Sequence, residues 1–447
     1  MNTPICDFVR EYAQSNKLRL HMPGHKGESF LGIESFDITE IEGADVLYNA
    51  EGIIAQSEHN ASELFGTAKT LYSAQGSSLS IRAMLYLAML CTSHGSERVT
   101  VCAGRNAHKA FMCAAALLDI DIEWIFSPVG QDIVTCHITP KLLDGYLSAM
   151  SSKPAAVYIT SPDYLGNIAD IAGLSQVCHK YGVLLLVDNA HGAYLNFLPE
   201  SRHPIALGAD MCCDSAHKTL PVLTGGAYLH ISNIAPRVCV TQAQSAMSLF
   251  ASTSPSYLIL QSLDMANRYI SDGYRERLAA FAEKLTKLKQ RLADAGYTLL
   301  GDEVLKLTVF SKDYGYTGRE LSQLLYEKDI VCEFSDPDYA VMMLTPELGP
   351  EALDRIGDVL CRTPPRAPMA ESAPALSAVK QALSIREALL SPSETLPIDR
   401  CIGRILAVPT VGCPPAVPIL VCGEQIDAHA VDCFRYYGIG TCRVVRE

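Results

Sequence analysis

The segment CDSAHKTLPVLTGGAYL, residues 213–229, sets one lysine, Lys218, in a polar turn between nearly uncharged, largely apolar stretches. An amine in such surroundings loses its proton more easily and can attack a carbonyl carbon, which makes Lys218 a candidate Schiff-base lysine. A lone lysine in a loop is more commonly solvated or structural, so the reading depends on its company. Upstream, VLLLVDNAHG puts Asp188 at the carboxyl end of an apolar run, the place where open α/β sheets bind ligands. Asp188 could equally cap the turn that follows. TLYSAQGSSLSIRAML sets the turn Gly76-Ser77-Ser78 directly before an apolar helical pattern. Free amides at a helix start, hydroxyls and a permissive glycine are the parts of a phosphate cradle, although a serine there is also an ordinary N-cap. His108 in GRNAHKAF follows the run VTVCAG and offers an imidazole to stack on an aromatic ring or to shuttle protons.

A carbonyl-trapping lysine, a carboxylate, a phosphate cradle and a stacking ring are together what pyridoxal 5′-phosphate (PLP) requires. Its pyridine nitrogen needs an acid partner, because the protonated ring is what accepts an electron pair from a substrate carbanion.

These residues need rigid elements behind them. Between about residues 60 and 230, helical patterns alternate with short apolar runs: VTVCAG (99–104), AAVYIT (155–160), VLLLVDNA (183–190) and GGAYLHIS (225–232). Runs without polar alternation predict strands covered on both faces, the habit of a mostly parallel sheet between helices. Residues 274–295 read as a long amphipathic helix. After it, LKLTVF (305–310), the helical GRELSQLLYEKDI (318–330), VCEF and AVMMLTP predict a small α/β unit. The Pro/Ala/Ser-rich stretch 361–377 reads as a connection. The expected division is a PLP-binding large domain over 1–280, a small α/β domain over 281–362, a linker over 363–377 and a C-terminal appendage over 378–447.

Composition narrows the rest. Of 447 residues, 49% are hydrophobic and 19% charged, which suits a packed globular chain. The formal charge of −13 and the absence of a dense Lys/Arg block remove the basic footprint that nucleic acid needs. Sixteen scattered cysteines, without a C-x-x-C spacing, read as reduced thiols in the core rather than metal ligands. His21 and His25 have a ligand-like spacing, but Pro23-Gly24 between them argues against a helix and so against zinc. No metal is expected. The N-terminus lacks an apolar signal segment and no run is long enough to cross a bilayer, so a cytoplasmic protein without a membrane partner is expected.

The ordered set LHMPGHKG (20–27), YSAQGSS (72–78), RNAHKA (105–110), SPDYLGN (161–167), DNAHG (188–192) and DSAHKTLPVLTGG (214–226) resembles the bacterial Orn/Lys/Arg decarboxylase family of PLP enzymes. GRILAVPTVGCPPAVPILVCGE (403–424) is similar to that family's C-terminal segment. The resemblance implies an aspartate aminotransferase-type fold (fold type I), in a short form whose PGHKG motif begins too near the N-terminus to follow a wing domain. It implies decarboxylation of arginine, lysine or ornithine on the way to polyamines. It also implies Lys218 as the Schiff-base lysine, Asp188 at the pyridine nitrogen and His108 as the stacking ring. Gly76, Ser77, Ser78, Ser215 and His217 would surround the phosphate. His191 would lie near the cofactor's phenolic oxygen or the substrate, and His217 or Lys218 would return a proton to Cα. A homodimer with active sites at its interface follows, with His25, Asp163 and Glu424 as candidate substrate residues.

Two departures from the family pattern bear on substrate. Asp163 stands where the family has threonine, and Cys413-Pro414-Pro415-Ala416-Val417-Pro418 stands where it has Y-P-P-G-[IV]-P. Other chemistries share this fold and cofactor. An aminotransferase or β-eliminating lyase would want an arginine for the substrate carboxylate, with Arg404 the residue to check. A PLP-binding regulator without turnover is a further alternative.

Overall fold

The computed structural model describes residues 1–92, 98–126, 135–374, 379–409 and 417–447. They form two compact units, Met1–Gly95 with Ile171–Arg277, and Ser96–Asp170 with Leu278–Glu447. The division differs from the expected one: residues 96–170, assigned to the large domain, cluster with the small domain and the appendage. Packing gives the reason. Tyr164 and Leu165 share one buried cluster with Tyr339 and Val341 of the small domain and with Ile419, Leu420, Phe434 and Val444 of the appendage. Apolar surface removed from water at about 25 cal/mol per Å² binds these segments together wherever they lie in sequence.

Seven strands carry the α/β part: β1 (Lys69–Ser73), β2 (Thr100–Gly104), β3 (Asp121–Ile125), β4 (Ala156–Thr160), β5 (Leu184–Asp188), β6 (Met211–Asp214) and β7 (Ala227–Ile231). In the first unit they lie in the order β1-β7-β6-β5, and in the second β4-β2-β3. The pairs β2–β3, β2–β4 and β5–β6 are parallel, as the unbroken apolar runs predict. Antiparallel pairing enters with β7, which runs against both β1 and β6. Its sequence AYLHI is buried at every position, and full burial looks the same in either direction.

The second unit adds a four-stranded antiparallel sheet of β8 (Thr298–Leu300), β9 (Lys306–Phe310), β10 (Phe334–Ser335) and β11 (Tyr339–Met343), and a two-stranded one of β12 (Ser393–Pro397) and β13 (Thr441–Val445). The predicted amphipathic helix is Tyr274–Asp294, and it buries Leu278, Phe281, Leu285, Leu288 and Leu292 at helical spacing. The helix Gly318–Tyr326 opens on a capping box between Thr317 and Glu320 and ends short of the predicted residue 330.

A buried acid in the first unit makes stability depend on pH. Glu58, on the helix Ile53–Phe65, accepts the β1 amide of Tyr72 at 2.9 Å, and burial pushes its carboxyl up to about 8. The folded state therefore takes up a proton at Glu58 that the unfolded chain, near the ordinary value of 4.5, does not hold at neutral pH. That contribution is complete below the unfolded value and is lost as pH rises through about 8. Glu58→Gln, neutral throughout, is expected to melt like the wild type near pH 5 and roughly 2–5 °C higher near pH 9. Thermal melts at both pH values check this; parallel curves for the two proteins would contradict it.

Candidate active site

β5 and β6 end side by side, with Asp188 in register with Cys213. The run LLLV keeps β5 in the core, so the first polar residue, Asp188, marks the strand's carboxyl end. Asp188 is nearly fully buried, and its Oδ1 accepts the amide of Ala190 at 3.2 Å and the thiol of Cys213 at 3.6 Å. Beyond β6 the chain turns into the short helix Ala216–Thr219, which carries His217 and Lys218. Lys218 Nζ lies 2.9 Å from His191 Nε2, so the amine is held against an imidazole.

Two of the candidate serines lie together. Ser215 Oγ donates to Ser77 Oγ at 2.9 Å, at the start of the helix Ser77–Leu90. Gly76, at φ +67°, makes the turn into that helix and caps it without a side-chain bond. The helix start therefore sets its first-turn backbone beside two hydroxyls, a donor set suited to a phosphate. His217 Nδ1 lies 2.9 Å from the Gly226 carbonyl oxygen, which can only accept, so the proton sits on Nδ1. Burial, with Lys218 adding to it, lowers the His217 pKa and keeps the ring neutral at neutral pH.

The remaining predicted residues have other partners. His108, in the second unit, caps its own helix, Lys109–Leu118, by accepting the Ala110 amide at Nδ1. His25, in the first unit, accepts the Gly27 amide at Nδ1 and lies 3.3 Å from Asp37 through Nε2. Two candidate substrate acids have carboxylates already engaged. Asp163 closes its own turn, accepting the amides of Leu165 and Asn167 and the Asn167 side chain at 2.8–3.0 Å. Glu424 takes Arg105 Nη2 and the Val421 amide on one oxygen, both at 2.7 Å. The altered tail residues Cys413, Pro414, Pro415 and Ala416 lie outside the described residues.

Four further residues were passed over in the sequence. Asn189 Nδ2 donates to Asp214 Oδ1 at 2.7 Å, and Asp214 Oδ2 takes His203 Nε2 at 3.0 Å and His230 Nε2 at 3.2 Å. Asn189 and Asp214 stand inside the quoted motifs; their signal was a second polar residue beside each reactive one, at positions the apolar flanks bury.

A family model described as "Orn/Lys/Arg decarboxylase, major domain" matches residues 3–305, and its "C-terminal domain" partner matches residues 368–440. The chain belongs to the Orn/Lys/Arg decarboxylase family. Its members are PLP-dependent amino-acid decarboxylases, and PLP is the cofactor of this family member. It is 28% identical to the uncharacterized protein YaaO of Bacillus subtilis, over 96% of this chain and 93% of that one. It is also 28% identical to a Bacillus subtilis arginine decarboxylase, over 95% of this chain and 91% of that one. Its fold matches the lysine decarboxylase LdcF of Francisella novicida with a TM-score of 0.80 at 16% identity, over 99% of this chain and 81% of that one. The donor set fits the cofactor: an amine for the aldehyde, a buried carboxylate for the ring nitrogen, and hydroxyls at a helix start for the phosphate.

The Arg105–Glu424 pair of this decarboxylase gives a stability test. Both side chains are at least nine-tenths buried; burial disfavours each charge and their attraction makes up part of that cost. Glu424→Ala leaves the guanidinium buried and unpaired, and should cost about 3–5 kcal/mol in denaturant unfolding. A cost below about 1 kcal/mol would mean that solvent already screens the pair.

Proposed function

We propose that this decarboxylase converts a basic amino acid, arginine, lysine or ornithine, to the corresponding amine and CO2, a reaction that feeds polyamine formation. The observation that carries the reading is the grouping of Lys218, His191, Asp188 and the Ser77–Ser215 pair at the carboxyl ends of β5 and β6 in a member of this family. Arginine is the first substrate to offer, because relatives matched over nearly their whole length are named arginine decarboxylases.

PLP, when bound, supplies the electron sink for the pair released as the α-carboxylate leaves. Lys218 Nζ would be the amine that holds the cofactor by its aldehyde. Asp188 would stand at the ring nitrogen and favour its protonated form. Ser77, Ser78, Ser215 and the Gly76 turn would take the phosphate, with His217 beside them, and His108 remains the ring proposed to stack on the cofactor. For the proton returned to Cα, Lys218 Nζ is the better donor. The neutral His217 has its only ring proton on the Gly226 carbonyl, whereas Lys218 sits against His191, which can pass it a proton. His25, Asp163 and Glu424 stay as candidate substrate residues. The last two would have to exchange their present partners to take a distal cation.

A second copy of the chain is the proposed partner. Leu18, Leu20, Phe30 and Leu31 are each 78–83% exposed within one N-terminal segment, a run of apolar surface suited to burial between subunits. No helix among the described residues is long and apolar enough to cross a membrane, and a cytoplasmic site of action is proposed.

The test offers arginine, lysine and ornithine to the purified, PLP-loaded protein and measures CO2 and amine, with Lys218→Ala in parallel. One substrate is expected to turn over, and the variant is expected to lose activity by at least about a thousandfold together with its borohydride-fixed PLP label. Retention of the label by Lys218→Ala would displace Lys218 from its role. Labelled wild type without product from any of the three would move the reaction to another chemistry of this fold. Light scattering on a sizing column should give twice the chain mass.

A further inference from the structure

Asp214 is fully buried, yet its carboxylate touches neither a lysine nor an arginine among the described residues. Its two oxygens are shared among three donors: Asn189 on Oδ1, His203 and His230 on Oδ2. His230 is held from behind by the Thr70 hydroxyl of β1 at 2.8 Å. The cluster is therefore tied to β1, β6, β7 and the end of β5 at once. Asn189 follows Asp188 directly, and Asp214 precedes Ser215 and stands four residues before Lys218.

A second observation shows how closely the Asn189 amide is fitted. A Cβ built on Gly192 would lie 2.0 Å from Asn189 Oδ1. The glycine of DNAHG thus leaves room for the asparagine, which adds its backbone bond to Cys213 O at 3.0 Å. Two links, one backbone and one side chain, join the loop after β5 to the end of β6.

We propose that Asp214 and Asn189 are positioning residues for PLP: their bond, with His203 and His230 behind it, locks the strand end bearing Asp188 against the strand end bearing Ser215 and Lys218. The proposal rests on the cofactor reading above. Asp188 and Lys218 engage opposite parts of one rigid ring system, so a small slip between β5 and β6 would cost both contacts together. Asp214, His203 and His230 also have the types of a metal-ligand group, with ligand atoms within 4.8 Å of one another. Here His203 Nε2 and His230 Nε2 both donate to Asp214 Oδ2, and a metal held by these atoms would have to displace those protons.

The test is a charge-conserving swap. Asn189→Asp alone brings two carboxylates together where the present bond spans 2.7 Å, and Asn189→Ala removes the link. Asn189→Asp with Asp214→Asn restores one donor and one acceptor across the strands and still presents an oxygen to both histidines. For each protein the PLP dissociation constant is measured by cofactor titration, and Tm is measured with and without PLP. Each single variant is expected to bind PLP roughly tenfold or more weaker, with a smaller PLP-induced rise in Tm, and the double variant to recover most of both. If a single variant fails to fold, recovery in the double variant still decides the matter. A folded double variant without recovered PLP affinity would overturn the proposal. So would single variants whose Tm falls equally with and without PLP at unchanged affinity, since the bond would then be purely structural. Stoichiometric transition metal in the wild type, with PLP affinity lost on chelation, would also overturn it in favour of a metal site. Failure of the wild type to take up PLP at all would instead count against the cofactor reading.

Discussion

Parallel pairing of β5 with β6 is the constraint on which the site depends. It delivers two carboxyl ends to one edge, and the residue types just beyond them decide what that edge can do. Asp188 closes β5, and Asp214-Ser215 lead from β6 into the turn that holds Lys218. Neither strand can slide by one residue, because the alternation of faces would carry its side chains to the other side of the sheet. A flat, rigid cofactor is well served by such a frame: strand pairing fixes the distances between its contacts, where loops would leave them to vary.

The second unit meets a different requirement, that of joining segments far apart in sequence. Arg105 follows β2, yet it pairs with Glu424 of the appendage and lies over the ring of Trp124, 5.2 Å from its centroid. Lys312, after β9, pairs with Asp338 at 2.9 Å and also reaches Tyr436 of the appendage. Buried pairs of this kind add little net stability, since desolvation takes back most of the attraction. Their effect is specificity: an appendage docked in any other way would strand a charge in the apolar cluster of Leu420, Phe434 and Val444.

What could be read from the sequence follows the same division. Lys218, Asp188 and the Gly76-Ser77-Ser78 turn were legible because each announces itself locally, as a polar residue closing an apolar run or opening a helix. The amphipathic helix was legible from its period. The direction of β7 was not, because complete burial erases the alternation that distinguishes strand environments. Asp163 reads in the sequence as an added carboxylate, and only the fold shows that it accepts the amides of Leu165 and Asn167. The Asn189–Asp214–His203–His230 cluster was hidden for another reason. Its members are separated in sequence, and only the antiparallel return of β7 sets His230 opposite Cys212 and so beside Asp214.

Choice of reaction is the harder question, because this fold and this cofactor serve decarboxylases, transaminases and lyases alike. A transaminase has to hold the substrate carboxylate in place, commonly with a guanidinium, while a decarboxylase has to let it leave. Arg404 was the residue singled out for the first role. Its Nη2 donates to Glu394 at 2.8 Å and to the Val445 carbonyl at 2.9 Å, and its Nε lies 3.1 Å from Glu447. Arg404 thus ties β12, β13 and the chain's end together, and these acids hold its pKa above the ordinary value. Recruiting it as a carboxylate clamp would break bonds that fasten the C-terminal sheet. Arg404 is thus committed to the C-terminal sheet, and the decarboxylase assignment comes from the family to which the chain belongs.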